Sequence, residues 1–365
     1  MRSDVEVGSA LSGGLDSSAI VTVASGLTPR RFKTFSAYFS NGPIYDERKW
    51  IEIVNKKTNS HGHLISPPVS DFINDFEKMT WHHDYPLQGS SLMAGYYVMK
   101  LAGENGVKVL LDGQGSDEML GGYNHSFYRY YADQIRSLKL LKFLQEYFIY
   151  LRNNKKGSMA DRIMKTFLVT LFDEPTLSYY ETRHKPAMLT LPREDRSAFY
   201  HEIRQLESSK LSGFLYKLMM SSSMQTLLHY EDRNSMAHSV ESRVPFLDYR
   251  LVELIFSLPG HYKVNNGLGK YIHRQAMKEF VPKEILDRKD KIGFATPGEF
   301  YWLRGEMKDM AISILESSDF KNRGIYNTRL IRDEFGKYLD GKQKNASLLW
   351  KVIALEIWFK VFKVS

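Results

Sequence analysis

The segment Leu-Ser-Gly-Gly-Leu-Asp-Ser-Ser at residues 11–18 constrains this chain more than any other feature. It follows a short apolar run at residues 5–11 and precedes a stretch with helical apolar spacing, so a strand meets a helix through a glycine-rich loop. Gly13 and Gly14 let the backbone approach a bulky anion, which then faces the free N–H groups at the helix start. Because Asp16 repels a phosphate unless a cation lies between them, the loop predicts a Mg²⁺–nucleotide site.

This loop resembles the Ser-Gly-Gly-x-Asp-Ser loop of the ATP pyrophosphatases, often called the PP-loop family. It differs from the loop of P-loop nucleotide hydrolases because no lysine follows the glycines. The resemblance implies cleavage of ATP between the α- and β-phosphates, with AMP placed on a substrate oxygen and then displaced by a nucleophile. The alternative is a strand-to-helix turn with a Ser or Asp cap and no ligand.

Composition narrows the class of protein. The chain has 365 residues, a formal net charge of +8 and no cysteine, which excludes disulfides, thiolate metal sites and thiol nucleophiles. No apolar run is long enough to span a membrane and the N-terminus lacks a signal-peptide core, so we expect a cytoplasmic protein. The positive charge suits an enzyme that handles ATP and pyrophosphate, and it also suits a nucleic-acid binder.

Strand and helix patterns alternate over the first part of the chain, and from about residue 127 the spacing is mostly helical. Strands are predicted at 31–39, 62–67 and 107–111, and helices at 46–58, 71–82 and 90–104. We therefore predict an α/β fold with a parallel sheet of the PP-loop (adenine nucleotide alpha hydrolase-like) type and a mostly helical C-terminal region. Residues 1–125 are predicted to form the ATP-binding core and residues 126–365 the helical remainder.

A second loop has the same sequence features as the first: a buried strand, glycines, and acidic residues at a helix start. The sequence Asp-Gly-Gln-Gly-Ser-Asp-Glu at residues 112–118 follows a continuously apolar strand and opens a helix. Because both loops lie at the carboxyl ends of parallel strands, ligands are expected between them. Asp16 and Asp117 could then hold one Mg²⁺ together. In the alternative interpretation Ser116 caps the helix, and the acidic residues after it interact favourably with the positive end of the helix dipole.

Two further blocks carry dense polar sequence. Residues 232–248 place many ionisable side chains in an otherwise apolar helical region, and residues 288–297 form a basic segment with a glycine at position 293. The second block suits a loop that closes over phosphates, although a surface charge run is its simpler interpretation.

These four blocks, in this order, resemble the synthetase domain of the glutamine-dependent asparagine synthetases, and the resemblance covers essentially the whole chain. It implies adenine contacts on the backbone of Leu11 and Ala37 and a charge-stabilising role for Lys291. It also implies Mg²⁺ on Asp16 and Asp117. The phosphate contacts that it implies are Ser12, Gly13, Gly14, Ser17 and Gly113. We add Asp112 to the nucleotide site and take Lys291, Gln114, Asp117 and Glu241 as the catalytic candidates.

Two departures from the family pattern bear on function. We expect the family's N-terminal glutaminase domain to be absent, because the sequence contains no cysteine to hydrolyse glutamine. The chain would then be a lone synthetase lobe, a truncated form, or a subunit that receives ammonia from a separate glutaminase subunit. The family's acidic residue between two glycines is Gln114 here, and a glutamine cannot act as a base. The expected reaction is adenylation of a small carboxylate, with aspartate as the favoured substrate, followed by attack of ammonia.

Other functions stay open on the sequence alone. They are amidation of another carboxylate such as a surface-glycan sugar acid, a non-catalytic nucleotide-binding partner, and an RNA-modifying adenylyl transferase. Nucleic acid is the less favoured partner, because the basic stretch at residues 136–165 also carries apolar residues at helical spacing. We expect those residues to face the core, with a solvated basic back: Leu140, Phe143, Leu144, Tyr147, Phe148 and Leu151.

Overall fold

The two glycine-rich loops follow adjacent strands of one parallel sheet. The computed structural model describes residues 1–40, 45–153, 158–172, 188, 209–289, 296–344 and 346–364. The N-terminal strands are β1 (Val7–Ala10), β2 (Lys33–Ala37), β3 (His61–Ile65) and β4 (Val109–Leu111). The helices between them are α1 (Leu15–Gly26), α2 (Arg48–Thr58), α3 (Val69–His83) and α4 (Ser91–Glu104). The predicted order is confirmed, and no predicted end differs from the observed one by more than two residues.

The remainder of the described chain is mostly helical, as predicted. It forms α5 (Ser116–Leu120), α6 (Asn124–Arg136), α7 (Leu140–Asn153), α8 (Met159–Leu171), α9 (Lys210–Lys217), α10 (Met224–Met236), α11 (Tyr249–Ser257), α12 (Gly260–Lys263), α13 (Tyr271–Ala276), α14 (Lys283–Leu286), α15 (Lys308–Glu316), α16 (Ser318–Asn322), α17 (Thr328–Leu339) and α18 (Ser347–Phe362). Within the described part of the chain, no helix is long and apolar enough to cross a bilayer.

The sheet has five strands in the order β3-β2-β1-β4-β5, all parallel, where β5 is Glu241–Arg243. From β1 the chain runs outward through β2 and β3 on one side, and β4 and β5 lie on the other. The strand order therefore reverses between β1 and β4, which is where open parallel sheets bind ligands.

Strand β5 is a correction to the sequence prediction, which read residues 232–248 as a polar interruption of helices. Its three residues, Glu-Ser-Arg, carry no apolar run, and the strand exists because its backbone pairs with β4. A short hairpin of β6 (Val264–Asn265) and β7 (Leu268–Gly269) was also missed. Because β5 lies beyond residue 125, the sheet draws on both predicted segments, and the domain boundary stays a prediction.

Both faces of the sheet are covered by helices, because successive side chains of a strand point to opposite sides. Leu11 and Leu111 pack with α1 and α2 on one face, while Ala10 and Leu110 pack with α4 on the other. A third apolar cluster joins α3 and α4 to α15–α18, and it includes Trp302, which stacks on Phe72 of α3. The helices thus fix the strands, and the strand ends fix the two loops.

The interpretation of α7 is wrong in part. Tyr147 is buried as expected, and Phe143 and Leu151 pack against the same apolar cluster, but Leu140, Leu144 and Phe148 are exposed. Glu146 and Tyr150 complete the inward face, whose aromatic rings contact Tyr131 of α6. The apolar residues of α7 form two neighbouring stripes about 100° apart, and sequence spacing alone did not show which stripe faces α6.

Candidate active site

The first loop contains a glycine whose backbone adopts the left-handed conformation. Gly13 has φ of +70°, and a Cβ at this position would lie 2.5 Å from the Cβ of Trp50. The hydroxyls of Ser12 and Ser17 lie 3.1 Å apart, and the Ser12 N–H donates to the Ser17 hydroxyl at 3.2 Å. Helix α1 begins directly after Gly14, so its free N–H groups face the same side as these hydroxyls. The loop therefore has the shape and the donors that an anion needs.

The second loop lies directly against the first. A Cβ on Gly113 would lie 3.2 Å from the Cβ of Asp16 and 3.3 Å from the Ser17 nitrogen, so any side chain here would push the two loops slightly apart. The Asp112 carboxyl accepts hydrogen bonds from the backbone of Gly113 and Gln114, while burial raises its pKa above the ordinary range. The strand order brings the two loops together, as the sequence predicted.

Asp16 and Asp117 converge on one point, the ammonium of Lys270. The Lys270 Nζ contacts the Asp16 carboxylate and lies 2.7 Å from Asp117 Oδ1. Ser116 donates a hydrogen bond to Asp16 at 2.7 Å, and His273 Nε2 lies 3.7 Å from Asp16. The two side chains are therefore near enough to share a cation.

The electrostatics of this cluster favour the charged forms of Asp16 and Lys270. Burial alone would raise the pKa of Asp16, but Lys270, His273 and Ser116 outweigh burial and hold that pKa below its usual value. Burial would likewise lower the pKa of Lys270, and the two carboxylates raise it instead. Burial lowers the pKa of His273 to about 4, so this imidazole is neutral at pH 7.

A cavity of about 870 Å³ opens over the two loops. Most of the predicted site residues line it: Ser12, Gly14, Asp16, Ser17, Asp112, Gly113, Gln114 and Asp117. Leu11, Gly13 and Ala37 do not line it. The Leu11 N–H donates to the carbonyl of Phe35 at 2.9 Å, and the Leu11 carbonyl accepts from the Ser36 hydroxyl. The adenine contacts predicted on Leu11 and Ala37 stay predictions.

Glu241 lies away from this cavity. It pairs in register with Val109, the first residue of β4, and its N–H donates to the carbonyl of Lys108. This is the amino end of the strand, whereas both loops follow the carboxyl ends. The side chain is exposed and forms an ion pair of 2.6 Å with Arg243. The motif suggested a catalytic residue, but the direction of the strand puts its carboxylate at the opposite edge of the sheet.

Lys291 lies outside the described residues, so its predicted role stays a prediction. The chain before it is described up to residue 289 and lies at the first loop. Arg288 is buried, donates to the Gly13 carbonyl at 3.0 Å and pairs with Glu47 at 2.7 Å. Lys289 lines the cavity and donates to the Asn153 side chain at 3.0 Å. The basic segment therefore starts beside the predicted phosphate site.

Two site residues were missed. Lys270 follows the glycines of the β6–β7 hairpin, and Glu231 directly precedes the third polar block. The Glu231 carboxylate accepts from the Ser242 hydroxyl at 2.5 Å and from the side chain of Gln114. Burial, together with the nearby Asp112 carboxyl, raises the pKa of Glu231 well above the ordinary range. A lysine after a glycine-rich turn and an acid beside a charged block were the available signals, and neither is specific.

Comparison with known proteins matches this arrangement to one family. The asparagine synthase family model matches residues 1–360. Asparagine synthetase (glutamine-hydrolyzing) 1 of Bacillus subtilis is 30% identical over 99% of this chain and 57% of its own length. Asparagine synthetase (glutamine-hydrolyzing) 3 of the same organism is 28% identical over 79% of this chain and 44% of its own length. Amidase chry2 of Gibberella zeae is 23% identical over 91% of this chain and 55% of its own length.

The chain spans about half the length of these curated relatives. The family match, in contrast, extends over nearly all of the chain, and it includes both glycine-rich loops and the strand that carries Glu241. The resemblance noted from the sequence is therefore confirmed: the chain belongs to the asparagine synthase family.

Proposed function

We propose that this protein forms an amide at the expense of ATP. In the first step a substrate carboxylate oxygen attacks the α-phosphorus of ATP, so that an acyl-adenylate forms and pyrophosphate leaves. In the second step ammonia attacks the acyl carbon, the bond to AMP breaks, and a proton is released. The observation that carries the proposal is the convergence of Asp16 and Asp117 at the two loops that line one cavity.

The first step asks the protein mainly for charge neutralisation and positioning. The Ser12 and Ser17 hydroxyls, which lie 3.1 Å apart, and the N-terminus of α1 would bind phosphate oxygens. Lys270 and Lys289 add positive charge inside the cavity, and the buried Arg288 holds the Gly13 carbonyl. We assign Lys291 the same task of stabilising the departing pyrophosphate, as the family resemblance implies.

A divalent cation fits the donors present. Two carboxylates and the oxygens of a triphosphate are the ligands that Mg²⁺ prefers, with water completing its coordination. Asp16 and Asp117 would hold it, and among the described residues no cluster of three or more acidic or histidine side chains offers another site. Bound there, Mg²⁺ would neutralise charge on the phosphates.

The second step needs a proton acceptor, and Gln114 cannot be one. We assign this role to Glu231, which is hydrogen-bonded to Gln114 and lies one helical turn after the cavity residue Leu227. In its ionised form Glu231 would take the proton that the attacking ammonia loses as the carbon–nitrogen bond forms. The carboxyl expected at position 114 would thus be supplied from α10.

The acyl substrate is proposed to be aspartate. A second candidate is another small carboxylate, favoured by the glutamine at position 114 and by the relative named as an amidase. Ammonia is the proposed nitrogen donor, and a separate glutaminase subunit is its proposed source. We also propose a cytoplasmic location.

One assay tests the function. The protein is incubated with ATP, Mg²⁺, ammonium and a panel of carboxylates including aspartate, and amide product and AMP are measured by mass spectrometry. We expect amide and AMP in equal amounts with at least one carboxylate, and neither with Asp16→Asn. Adenylation of tRNA in place of a carboxylate would favour an RNA-modifying enzyme, and ATP binding without AMP formation would favour a non-catalytic partner.

A further inference from the structure

Lys270 occupies an unusual position for a lysine. Its backbone is left-handed, with φ of +54°, and its N–H donates to the carbonyl of Leu120 at 3.0 Å. The hairpin before it is closely packed, because a Cβ on Gly269 would lie 2.5 Å from the carbonyl oxygen of Gly121. Only 8% of the Lys270 side chain is exposed. The base of this side chain is therefore fixed, and its ammonium is directed at the acidic pair.

The ammonium lies at the place where a shared metal ion would lie. It contacts both carboxylates, Asp16 and Asp117, whose side chains are 18% and 17% exposed. A Mg²⁺ ion bound by both would need oxygens at about 2.0–2.1 Å, which leaves no room for a nitrogen between the same oxygens. The two cations therefore exclude each other from this position.

We propose that Lys270 stands in for the divalent cation while the nucleotide site is empty, so that the metal enters only together with ATP. The inference rests on the metal assignment made in the proposed function. With Lys270 in place the cluster keeps one net negative charge and two carboxylates that are already paired, which makes it a poor site for a free metal ion. The triphosphate supplies the anionic partner that Lys270 needs once it leaves the carboxylates.

The movement required is small. Lysine has a flexible four-carbon stem, so its ammonium can shift by a few ångströms while the backbone stays fixed. Lys270 and the first loop line the same cavity, so phosphate oxygens bound at Ser12 and Ser17 lie on the same side as the ammonium. The lysine thus exchanges carboxylate oxygens for phosphate oxygens, and its charge remains paired throughout.

Mn²⁺ binding to the 365-residue chain, followed by electron paramagnetic resonance, tests this exchange. Without nucleotide, we expect wild type and Lys142→Met to bind Mn²⁺ weakly. Lys270→Met should bind one Mn²⁺ per chain at least about tenfold more tightly, because one positive charge has left the acidic pair. The gain should vanish in Lys270→Met combined with Asp117→Asn. Lys142→Met is the matched control, since this lysine also pairs with a carboxylate, that of Glu146, but lies outside the cavity.

The wild-type protein provides a second measurement if Lys270→Met fails to fold. Adding the non-cleavable analogue α,β-methylene-ATP should create a tight Mn²⁺ site in wild type. Equal Mn²⁺ affinity of wild type with and without the analogue would overturn the inference. So would unchanged weak binding in a folded Lys270→Met protein. If Mn²⁺ behaves as expected but no AMP forms with any carboxylate, the proposed function fails and the exchange stands.

Discussion

The carboxyl edge of the sheet buries charged side chains, whereas the surface formed by helices α7 and α8 exposes apolar ones. At the sheet edge, charged side chains are largely buried: Asp16, Asp112, Asp117 and Lys270. On the α7–α8 surface, large apolar side chains are exposed, with Leu141 at 79% and Phe148 at 70%. Burying a charged side chain destabilises the fold unless the charge is paired. An apolar side chain that stays exposed adds no hydrophobic stabilisation to the fold.

This difference indicates that the two regions have different roles. At the sheet edge each buried charge has an opposite charge or a hydrogen-bond donor beside it, so the cost is offset and a polar cavity is maintained. On α7 the inward face packs against α6. The exposed residues Leu140, Leu144 and Phe148, which form the outer stripe of α7, add little to the stability of the fold. Substitutions at the sheet edge should therefore change chemistry, while those on the outer stripe should change almost nothing.

The largest effect is expected at the acidic pair. Asp16→Asn or Asp117→Asn should lower pyrophosphate release by at least about a hundredfold, because charge stabilisation on the phosphates is lost. Asp161→Asn is the matched control, since this exposed carboxylate on α8 pairs with Lys165. The measurement is pyrophosphate formed per minute at saturating ATP. Normal release in either acidic-pair variant would show that the pair has no role in the reaction.

The next effect separates Glu231, which the sequence analysis missed, from Glu241, which it took as a catalytic candidate. Glu231→Gln should slow amide formation by about a hundredfold, as expected when a general base is lost, while pyrophosphate–ATP exchange stays near normal. Glu241→Gln, at the other end of the sheet, should leave both rates unchanged. A Glu241→Gln protein with lost turnover would contradict the placement of the site.

The pH dependence of the rate of amide formation tests whether Glu231 acts as a base. A base acts in its ionised form, and the pKa of Glu231 is raised by burial and by Asp112. Amide formation in wild type should therefore increase with pH through a value well above the usual carboxyl pKa of about 4. This increase should be absent in Glu231→Gln. A rate that is flat with pH in both proteins would exclude the assignment.

Lys263 offers an unpaired buried charge for comparison with the sheet edge. Within the described part of the chain its ammonium has no hydrogen-bond partner, and burial lowers its pKa to about 8. Lys263→Met should raise the free energy of unfolding at pH 7 by about 2 kcal/mol, because an unpaired charge is removed.

The pH dependence of unfolding checks the sign for Lys263. The unfolded lysine keeps its proton up to a pKa near 10.5, whereas the folded one loses it near 8. Between these values the unfolded state binds more protons, so wild type should become more stable as the pH rises. In Lys263→Met this rise should disappear. Urea denaturation at pH 7 and pH 10 measures it, and destabilisation at pH 7 would oppose the prediction.

The smallest effect is expected on the outer stripe of α7. Phe148→Ala should change the free energy of unfolding by no more than about 0.5 kcal/mol, since the ring is exposed. Tyr147→Ala, at the neighbouring buried position, should cost about 3 kcal/mol. Urea denaturation of the two variants makes the comparison. Equal costs would mean that the two stripes contribute equally to the fold.

Sequence patterns predicted the fold where the signal is local. Buried strands are apolar runs and tight loops need glycine, so β1, β4 and the loops after them were found. Strand β5 was missed because three polar residues become a strand only through pairing with β4. The inward face of α7 was predicted only in part, because two adjacent stripes have the same spacing.

The site was predicted less completely, for a similar reason. Asp16 and Asp117 were placed together because the carboxyl ends of parallel strands meet at one edge. Lys270 lies 254 residues from Asp16, and no local pattern joins them. Glu241 was assigned to the site by its motif, although a motif does not show which end of a strand a residue occupies.

Phosphorus-31 NMR of ATP consumption tests the central claim most directly, namely that the two loops bind metal-bound ATP for cleavage between its α- and β-phosphates. Wild-type protein with ATP, Mg²⁺, ammonium and the carboxylate panel is predicted to produce AMP and pyrophosphate in equal amounts. Formation of ADP and inorganic phosphate, or no ATP consumption with any carboxylate, would contradict the account.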